Sequence, residues 1–133
     1  MLASIRQALR TTPAHWNYVT VQEYHDEWSS VDHVLIDLRK PKDFARGHIQ
    51  GARNVFWKDL FTEAQLTSLP TDKPLVLACY VGHTASQAVA YLRLLGYDAV
   101  ALKYGYGVSP VAGVPVCGWI PHGFPVVPSK VHE

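Results

Sequence analysis

Short apolar runs alternate along this chain with segments of helical periodicity. Residues 33–37, Leu75–Ala78 and residues 98–102 are nearly continuous apolar runs, which are typical of strands buried on both faces of a parallel sheet. Residues 54–56 form a briefer run of the same kind. Because helical segments separate these runs, the pattern predicts an α/β domain with a central, mostly parallel β-sheet flanked by helices on both faces.

The helical segments are marked by apolar faces and by residues that begin or end helices. Leu2, Ile5 and Leu9 share one face, which predicts an amphipathic helix over residues 1–10, within an N-terminal segment 1–16, that docks on the core. Capping-box sequences, Pro41, Gly47 and an apolar stripe after Cys79 mark the other helices. These are predicted at residues 21–28, 42–46, after Thr62, and from the loop behind Cys79 to Leu95.

The composition fits one globular domain. The chain has 133 residues, of which 48% are hydrophobic and 17% are charged, so it can bury a real core and is too apolar for a disordered chain. We therefore expect a single domain over residues 1–133. The formal net charge of +1 provides no electrostatic footprint for nucleic acid or for an anionic membrane, and neither is an expected partner.

Targeting signals and cysteine usage bear on the compartment. No apolar run approaches the roughly 20 residues of a membrane helix, and Arg6 and Arg10 interrupt any secretory core. Residues 1–22 lack an acid and resemble an organellar transit peptide, although an ordinary N-terminal helix is the simpler interpretation. Cys79 and Cys117 do not make a disulfide framework, so we expect a reduced, cytoplasmic protein.

Cys79 lies where a buried strand stops and a helix is about to begin. The free amide groups and the dipole of a helix N-terminus attract an anion, and a thiol held there is stabilised as the nucleophilic thiolate. Gly82 allows the loop to curl toward the sulfur. Thr84 and Ser86 offer hydroxyl donors, and Thr84 is also a candidate helix cap. The alternative is a buried structural cysteine.

Charged residues fall at the same edge of the predicted sheet. Asp37 and Arg39 follow the strand 33–37, and sites in α/β sheets form at the carboxyl ends of strands, so their coincidence with Cys79 favours an active site. We expect Asp37 and Arg39 to form a structural ion-pair set, joined by Asp43, rather than to bind substrate. His48 is expected to orient the main chain near the helix 42–46.

Two segments of the chain resemble the signatures of the rhodanese-like domain. The first is Asp37-Leu38-Arg39 with Asp43-Phe44, followed by Gly47-His48-Ile49 and Gly51-Ala52-Arg53-Asn54-Val55. The second is Cys79-Tyr80-Val81-Gly82-His83-Thr84-Ala85-Ser86, followed by Leu94-Leu95-Gly96-Tyr97. The resemblance extends from Thr20 to Leu102, and the two motifs occur in the family's order.

The resemblance implies a sulfurtransferase that needs no cofactor and no metal. Cys79 would take a sulfane sulfur from a small donor such as thiosulfate, become a persulfide, and pass the sulfur to a thiol, a cyanide-like acceptor or a protein acceptor. Such a nucleophile in an anion cradle agrees with the chemistry inferred from the residues. The predicted anion-binding loop consists of the amides of Tyr80, Val81, Gly82, His83 and Thr84, together with the Thr84 hydroxyl.

Two features depart from the family's pattern. Thiosulfate-using rhodaneses usually carry basic residues where Tyr80 and Val81 stand, so thiosulfate is not favoured as the physiological donor. His83 is the one loop side chain that can supply positive charge, when protonated, although a solvated loop residue is the favoured interpretation. We expect Tyr80 to project at the mouth of the site and to select an apolar acceptor or a protein partner.

The tail, residues 103–133, is the second departure, because an apolar segment that contains Cys117 separates Gly107 from Trp119. We expect Cys117 to pack in the interior rather than to resolve an oxidised Cys79. Gly105-Tyr106-Gly107 is not a dinucleotide fingerprint, because Pro110 occupies the place of the third glycine.

Other functions are weighed against the sulfurtransferase. A rhodanese-like binding or sulfur-carrier module with little turnover stays open, as does a thiol-redox sensor that uses Cys79 and Cys117. Phosphatase chemistry is disfavoured, because no arginine follows Cys79 until Arg93. The histidines do not pair at ligand spacing with each other or with Cys79, so no zinc site is predicted.

Overall fold

The sheet is parallel throughout, as the pattern of apolar runs predicts. The computed structural model describes residues 1–109 and 117–129, so part of the apolar segment 108–120 lies outside the described residues. Within the described ranges the strands are β1 (Tyr18–Val19), β2 (Val34–Asp37), β3 (Arg53–Asn54), β4 (Leu75–Ala78) and β5 (Ala99–Leu102). Their order across the sheet is β1-β5-β4-β2-β3. The predicted α/β class is therefore confirmed.

The helices are α1 (Leu2–Arg10), α2 (Val21–Glu27), α3 (Pro41–Arg46), α4 (Glu63–Ser68) and α5 (His83–Leu94), with short 3-10 turns at Trp28–Ser30 and Trp57–Asp59. Two of them, α2 and α4, begin at the predicted capping boxes. The Thr20 hydroxyl accepts a hydrogen bond from the amide of Glu23 at 3.0 Å, and the Thr62 hydroxyl accepts one from the amide of Gln65 at 3.3 Å. Both capping interactions satisfy amides that would otherwise lack partners.

The side chains of β4 alternate between two hydrophobic cores. Leu75 and Leu77 belong to the core that also contains the inner face of α5, including Leu92. Val76 belongs to the core on the other face of the sheet, where Trp119 of the tail lies. Because both faces of β4 are covered, the strand is apolar at every position, which explains why it appears in the sequence as a continuous run.

Helix α1 forms as predicted but does not dock as predicted. None of its residues is buried, and Leu2 and Leu9 remain 60% and 71% exposed. The helix lies beside α5, where Ala8 is partly covered and Ile5 is 38% exposed. The expectation that the helix docks on the core is therefore wrong, because it meets α5 at the surface and buries no residue. Among the described residues, no helix combines the length and the apolar character that crossing a bilayer requires.

The third strand is earlier and shorter than the sequence predicts. Residues 54–56 are predicted, whereas β3 is Arg53–Asn54. The chain leaves the sheet because Phe56 caps the 3-10 turn Trp57–Asp59. The neighbouring strands β2 and β4 pair in register, with Asp37 opposite Ala78, so the residues that follow each strand meet at one edge of the sheet. That edge holds the candidate site.

Candidate active site

Cys79 follows β4 directly, and a three-residue turn, 80–82, connects it to α5. Its Sγ accepts hydrogen bonds from the amides of Gly82 at 3.1 Å and Ala85 at 3.4 Å. Gly82 has a φ of 99°, a left-handed conformation that side chains with a β-carbon rarely adopt. The cysteine is 2% exposed, so little water competes with these amides. Two amide groups therefore converge on one shielded sulfur, an arrangement that stabilises negative charge on it.

The predicted anion loop contributes one of these two donors. Of the amides of residues 80–84, that of Gly82 reaches Sγ, and the second donor is Ala85, one residue beyond the predicted loop. Thr84 does not cap α5, because Gly82 occupies the N-cap position and no side chain caps the helix. Among the hydrogen bonds of the described residues, none joins the Thr84 hydroxyl to Sγ. The role predicted for Thr84 is thus taken by the backbone.

Ser86 supports the loop rather than the anion. Its hydroxyl donates to the carbonyl of Gly82 at 2.7 Å, so it uses its single proton there and accepts from the hydroxyl of Tyr18 at 2.9 Å. This chain of hydrogen bonds connects the turn after Cys79 to β1. The serine therefore fixes the position of Gly82, whose amide faces the sulfur.

Two glycines behind β5 close the loop from the opposite side. The amide of Tyr106 donates to the carbonyl of Cys79 and the amide of Gly107 donates to the carbonyl of Tyr80, each at 2.9 Å. A β-carbon at Gly105 would lie 2.1 Å from the carbonyl oxygen of Cys79, so no other residue fits there. This contact is not among the features predicted from the sequence, although the paired glycines just after β5 are a signal of close backbone approach.

Asp37 and Arg39 form the expected buried ion pair. The Arg39 guanidinium donates to the Asp37 carboxylate at 2.9 Å and to the carbonyl of Gly47 at 2.8 Å, and the two side chains are 0% and 6% exposed. The Arg39 guanidinium also lies 3.5 Å from the ring centroid of Tyr106. Burial is the largest influence and lowers the pKa of Arg39, but the hydrogen bonds to Asp37, the charge of Asp37 and smaller contributions from Tyr106 and Tyr80 together outweigh it, so the pKa lies above its usual value. The pair braces β2, the end of α3 and the chain behind β5.

His48 and Gly47 fix the end of α3. The His48 Nδ1 lies 2.9 Å from the carbonyl oxygen of Phe44, to which it donates, and its ring stacks on that of Phe44 at 3.7 Å. This is the main-chain role predicted for His48. Gly47 is extended, and a β-carbon there would lie 2.8 Å from a methyl group of Val126, which would have to move aside.

The side chains of Tyr80 and Asp43 form a hydrogen bond that is not predicted from the sequence. Instead of joining Arg39, Asp43 accepts a short hydrogen bond from the Tyr80 hydroxyl and lies 3.9 Å from the Arg46 guanidinium. The Tyr80 hydroxyl also accepts from the amide of Lys40 at 3.2 Å. Burial and the bond to Asp43 raise the pKa of Tyr80. Tyr80 therefore does not project freely, because its hydroxyl is bound to α3.

Two clefts flank the loop. The α3 cleft, of about 560 Å³, lies between Tyr80 and α3 and is lined by Lys40, Lys42 and Arg46. The His83 cleft, of about 760 Å³, lies on the other side of the turn and is lined by His83, Val81, Trp16, Lys103 and Tyr104, among others. His83 is exposed, so its side chain is placed in the second cleft rather than against the sulfur.

Comparison with known proteins agrees with this geometry. The family model of the Rhodanese-like domain matches residues 20–107. The chain belongs to the rhodanese-like domain family. The thiosulfate sulfurtransferase GlpE of Stutzerimonas stutzeri is 40% identical over 70 residues, which are 50% of this chain and 60% of that protein, and GlpE of Ectopseudomonas mendocina matches to the same extent. The match thus spans about 60% of the length of these curated relatives.

Solved structures support the rhodanese-like fold. A rhodanese-related protein from Thermoplasma volcanium superposes with a TM-score of 0.66 at 22% identity, over 84% of this chain and 97% of that chain. A BH2092 protein structure from Bacillus halodurans superposes with a TM-score of 0.69 at 16% identity, over 92% of this chain and 85% of that chain. These likenesses extend the agreement beyond the two sequence motifs to the arrangement of the sheet and helices.

The tail of this rhodanese-like domain returns to the site after its apolar insertion. The amide of Trp119 donates to the carbonyl of Gly105 at 2.9 Å, and a β-carbon at Gly118 would lie 2.3 Å from the amide nitrogen of Gly107. Cys117, just before this junction, is exposed and forms no disulfide. The prediction that Cys117 packs in the interior is therefore wrong. The proline-containing part of the insertion, residues 110–116, lies outside the described residues.

The chemistry of the site resides in sulfur and amide groups. Over residues 1–109 and 117–129, no cluster of three or more His, Cys, Asp or Glu side chains has the geometry to hold a metal ion. The groups that meet at the edge of the sheet are Cys79, the amides of Gly82 and Ala85, and the Tyr80–Asp43 pair. This arrangement can stabilise the anionic sulfur both when it attacks as a nucleophile and when it departs as a leaving group.

Proposed function

We propose that this rhodanese-like protein is a sulfurtransferase in which Cys79 carries the transferred sulfur. The observation that carries the proposal is the pair of amides, from Gly82 and Ala85, on the Cys79 sulfur. A nucleophile needs a group that stabilises its anionic form, and these donors are fixed by the fold before any substrate arrives. The names of the GlpE relatives, both thiosulfate sulfurtransferases, support the same reaction class.

In the first half-reaction the Cys79 thiolate attacks the outer sulfur of a donor. With thiosulfate, the sulfur–sulfur bond of the donor breaks, sulfite leaves with the bonding pair, and Cys79–S⁻ becomes Cys79–S–S⁻. The total charge of minus three is the same on both sides. The sulfur atom that moves is formally neutral, so the step needs neither an oxidant nor a reductant. The amides of Gly82 and Ala85 stabilise the attacking sulfur.

In the second half-reaction an acceptor removes the outer sulfur from Cys79. A thiol attacks it, the bond to Cys79 breaks, and R–SH with Cys79–S–S⁻ gives R–S–S⁻ with Cys79–SH. Cyanide reacts in the same way and leaves as thiocyanate. The Cys79 sulfur is now the leaving group, and the two amides that assist its attack also assist its departure. Small thiols and cyanide-like nucleophiles are therefore the acceptors we propose.

Mass spectrometry of the intact protein tests the proposal. We expect a mass gain of one sulfur atom after incubation with thiosulfate or inorganic polysulfide, and return to the starting mass after a thiol is added. Cys117 is an exposed thiol that polysulfide can also modify, so the test uses the Cys117→Ser background. The gain should persist in Cys117→Ser and vanish when Cys79→Ser is added. Persistence of the gain in the double variant, or its absence from Cys117→Ser with every donor, would overturn the proposal.

A sulfur-carrier module is the second candidate. The 2% exposure of Cys79 favours it, because a nearly covered sulfur suits storage and transfer to one docked partner better than rapid turnover. Steady-state kinetics separate the two candidates. Many turnovers with a small donor and a small acceptor support the enzyme, whereas stoichiometric loading of Cys79 without turnover supports the carrier.

A further inference from the structure

Helix α3 carries positive charge that the loop after Cys79 lacks. Lys40, Lys42 and Arg46 line the α3 cleft, and the acid among them, Asp43, is bonded to the Tyr80 hydroxyl. Lys40, Lys42 and Arg46 are exposed, so their charges face the solvent that fills the cleft. The cleft therefore has a net positive rim, which attracts an anionic ligand.

Tyr80 sets the spacing between this charge and the reactive sulfur. Its backbone adjoins Cys79, and its hydroxyl reaches the N-terminal end of α3, where the amide of Lys40 donates to it at 3.2 Å. The backbone that carries the cations thus stands one tyrosine side chain away from the cysteine. A compact anion whose charge adjoins its sulfur does not span that gap, whereas a ligand whose charge is several bonds from its sulfur does.

The walls of the α3 cleft fit the body of such a ligand. Val108, Ile120 and Val126 supply apolar side chains, and the volume of about 560 Å³ is large for a small inorganic anion. An alkyl chain laid against these residues would remove apolar surface from water, which favours its binding. A cleft with apolar walls below a basic rim is complementary to an organic anion with a hydrocarbon spacer.

We propose that the α3 cleft binds the acceptor substrate, and that its preferred acceptors are organic thiols with a carboxylate several bonds from the sulfur. This inference rests on the proposed function. The carboxylate lies at Lys42 and Arg46, the alkyl spacer runs along Tyr80, and the thiol attacks the outer sulfur of the Cys79 persulfide. The bond from that sulfur to Cys79 breaks, the new organic persulfide leaves as its anion, and the thiol proton ends on Cys79.

A series of thiols that differ in charge tests the inference. Cys79 is first loaded with polysulfide, the excess donor is removed, and single-turnover transfer is followed to mercaptohexanoate, mercaptohexanol and mercaptohexylamine. These thiols share one spacer, so the reactivity of the sulfur is nearly constant. We expect the rate at low acceptor concentration to be about tenfold higher for mercaptohexanoate than for mercaptohexanol, and lowest for mercaptohexylamine. Added salt should reduce these differences.

Charge reversal on α3 is the decisive variant. Combining Lys42→Glu with Arg46→Glu should abolish or invert the preference for mercaptohexanoate, whereas Lys58→Glu, an exposed control outside the cleft lining, should preserve it. Loading of Cys79 in each variant reports that the site has folded. Equal rates for the three thiols, or a preference that survives the double reversal, would overturn the inference alone. If Cys79 does not load at all, the proposed function fails and the inference fails with it.

Discussion

At the scale of single residues, Gly105 lets the chain pass close behind Cys79 because it has no β-carbon. Gly105 has a φ of 53°, and a β-carbon there would lie 2.1 Å from the Cys79 carbonyl oxygen, which is backbone and cannot turn aside. The carbonyl of Cys79 accepts from the amide of Tyr106, so a shift at Gly105 also moves the loop that presents the amides to the sulfur. Packing at this one residue is thus coupled to the chemistry of its neighbour.

Replacing Gly105 by alanine should therefore be costly. We expect Gly105→Ala to lower the free energy of unfolding by about 3 kcal/mol, measured by urea denaturation, because the overpacked backbone must shift. Gly51→Ala is the matched control, since Gly51 also has a positive φ, of 89°, but a β-carbon there would meet no atom within 4 Å. The control should cost about 1 kcal/mol. Equal losses for the two variants would contradict the steric account.

The sequence predicts the identity of the residues at the site better than their partners. Cys79, Gly82 and the Asp37–Arg39 pair follow from strand ends and motif spacing, which are local signals. The Asp43–Tyr80 bond joins residues that are 37 positions apart and depends on the placement of α3, which no local pattern encodes. Ala85 was missed because its contribution is a backbone amide, which any residue at that position would supply.

At the scale of elements, α2 is held by a cluster of aromatic rings. Tyr24 packs against Trp28, His33 and Trp119 at centroid distances of 5.3 to 6.0 Å. His33 Nδ1 lies 2.6 Å from the Val31 carbonyl and so carries the proton, which leaves Nε2 to accept from the Tyr24 hydroxyl at 2.7 Å. The phenol is neutral in this arrangement, and the cluster therefore depends on its remaining protonated.

Alkaline titration tests this cluster. Burial raises the pKa of Tyr24 to about 12 from its usual value of 10.0, so the folded state favours the neutral phenol. Its contribution to stability is fully present below pH 10 and is lost as the pH rises toward 12. We expect the free energy of unfolding to fall more steeply across this window in the wild type than in Tyr24→Phe. Parallel curves for the two proteins would show that Tyr24 does not titrate in this way.

At the scale of elements, periodicity predicts a strand or helix well where its apolar faces are covered by neighbouring elements. The apolar runs of β2, β4 and β5 are unambiguous because each strand is buried on both faces. The same rule fails for α1, whose apolar face has the right period but is covered only in part, by α5. It also fails for the tail, where Trp119 reaches the core through contacts with glycines that lie beyond any regular element.

For the whole molecule, the peripheral position of α1 has a measurable consequence. The helix buries no residue, and the family match begins at residue 20, after it ends. Removing residues 1–10 should lower the free energy of unfolding by about 1 kcal/mol, since Ile5 and Ala8 lose only partial contact with α5. Urea denaturation should remain cooperative, with full loading of Cys79. Loss of cooperative unfolding would mean that α1 belongs to the folding unit.

For the molecule as a whole, the fold places the amides of Gly82 and Ala85 on the Cys79 sulfur, and nuclear magnetic resonance observes those amides directly. Spectra of ¹⁵N-labelled Cys117→Ser protein are recorded before and after polysulfide treatment, with the added sulfur verified by mass. We predict that the amide signals of Gly82 and Ala85 shift more than any outside the loop after Cys79, while that of Gly51 stays in place, and that reduction restores them. Persulfide formation that leaves the Gly82 and Ala85 signals unmoved would contradict the account.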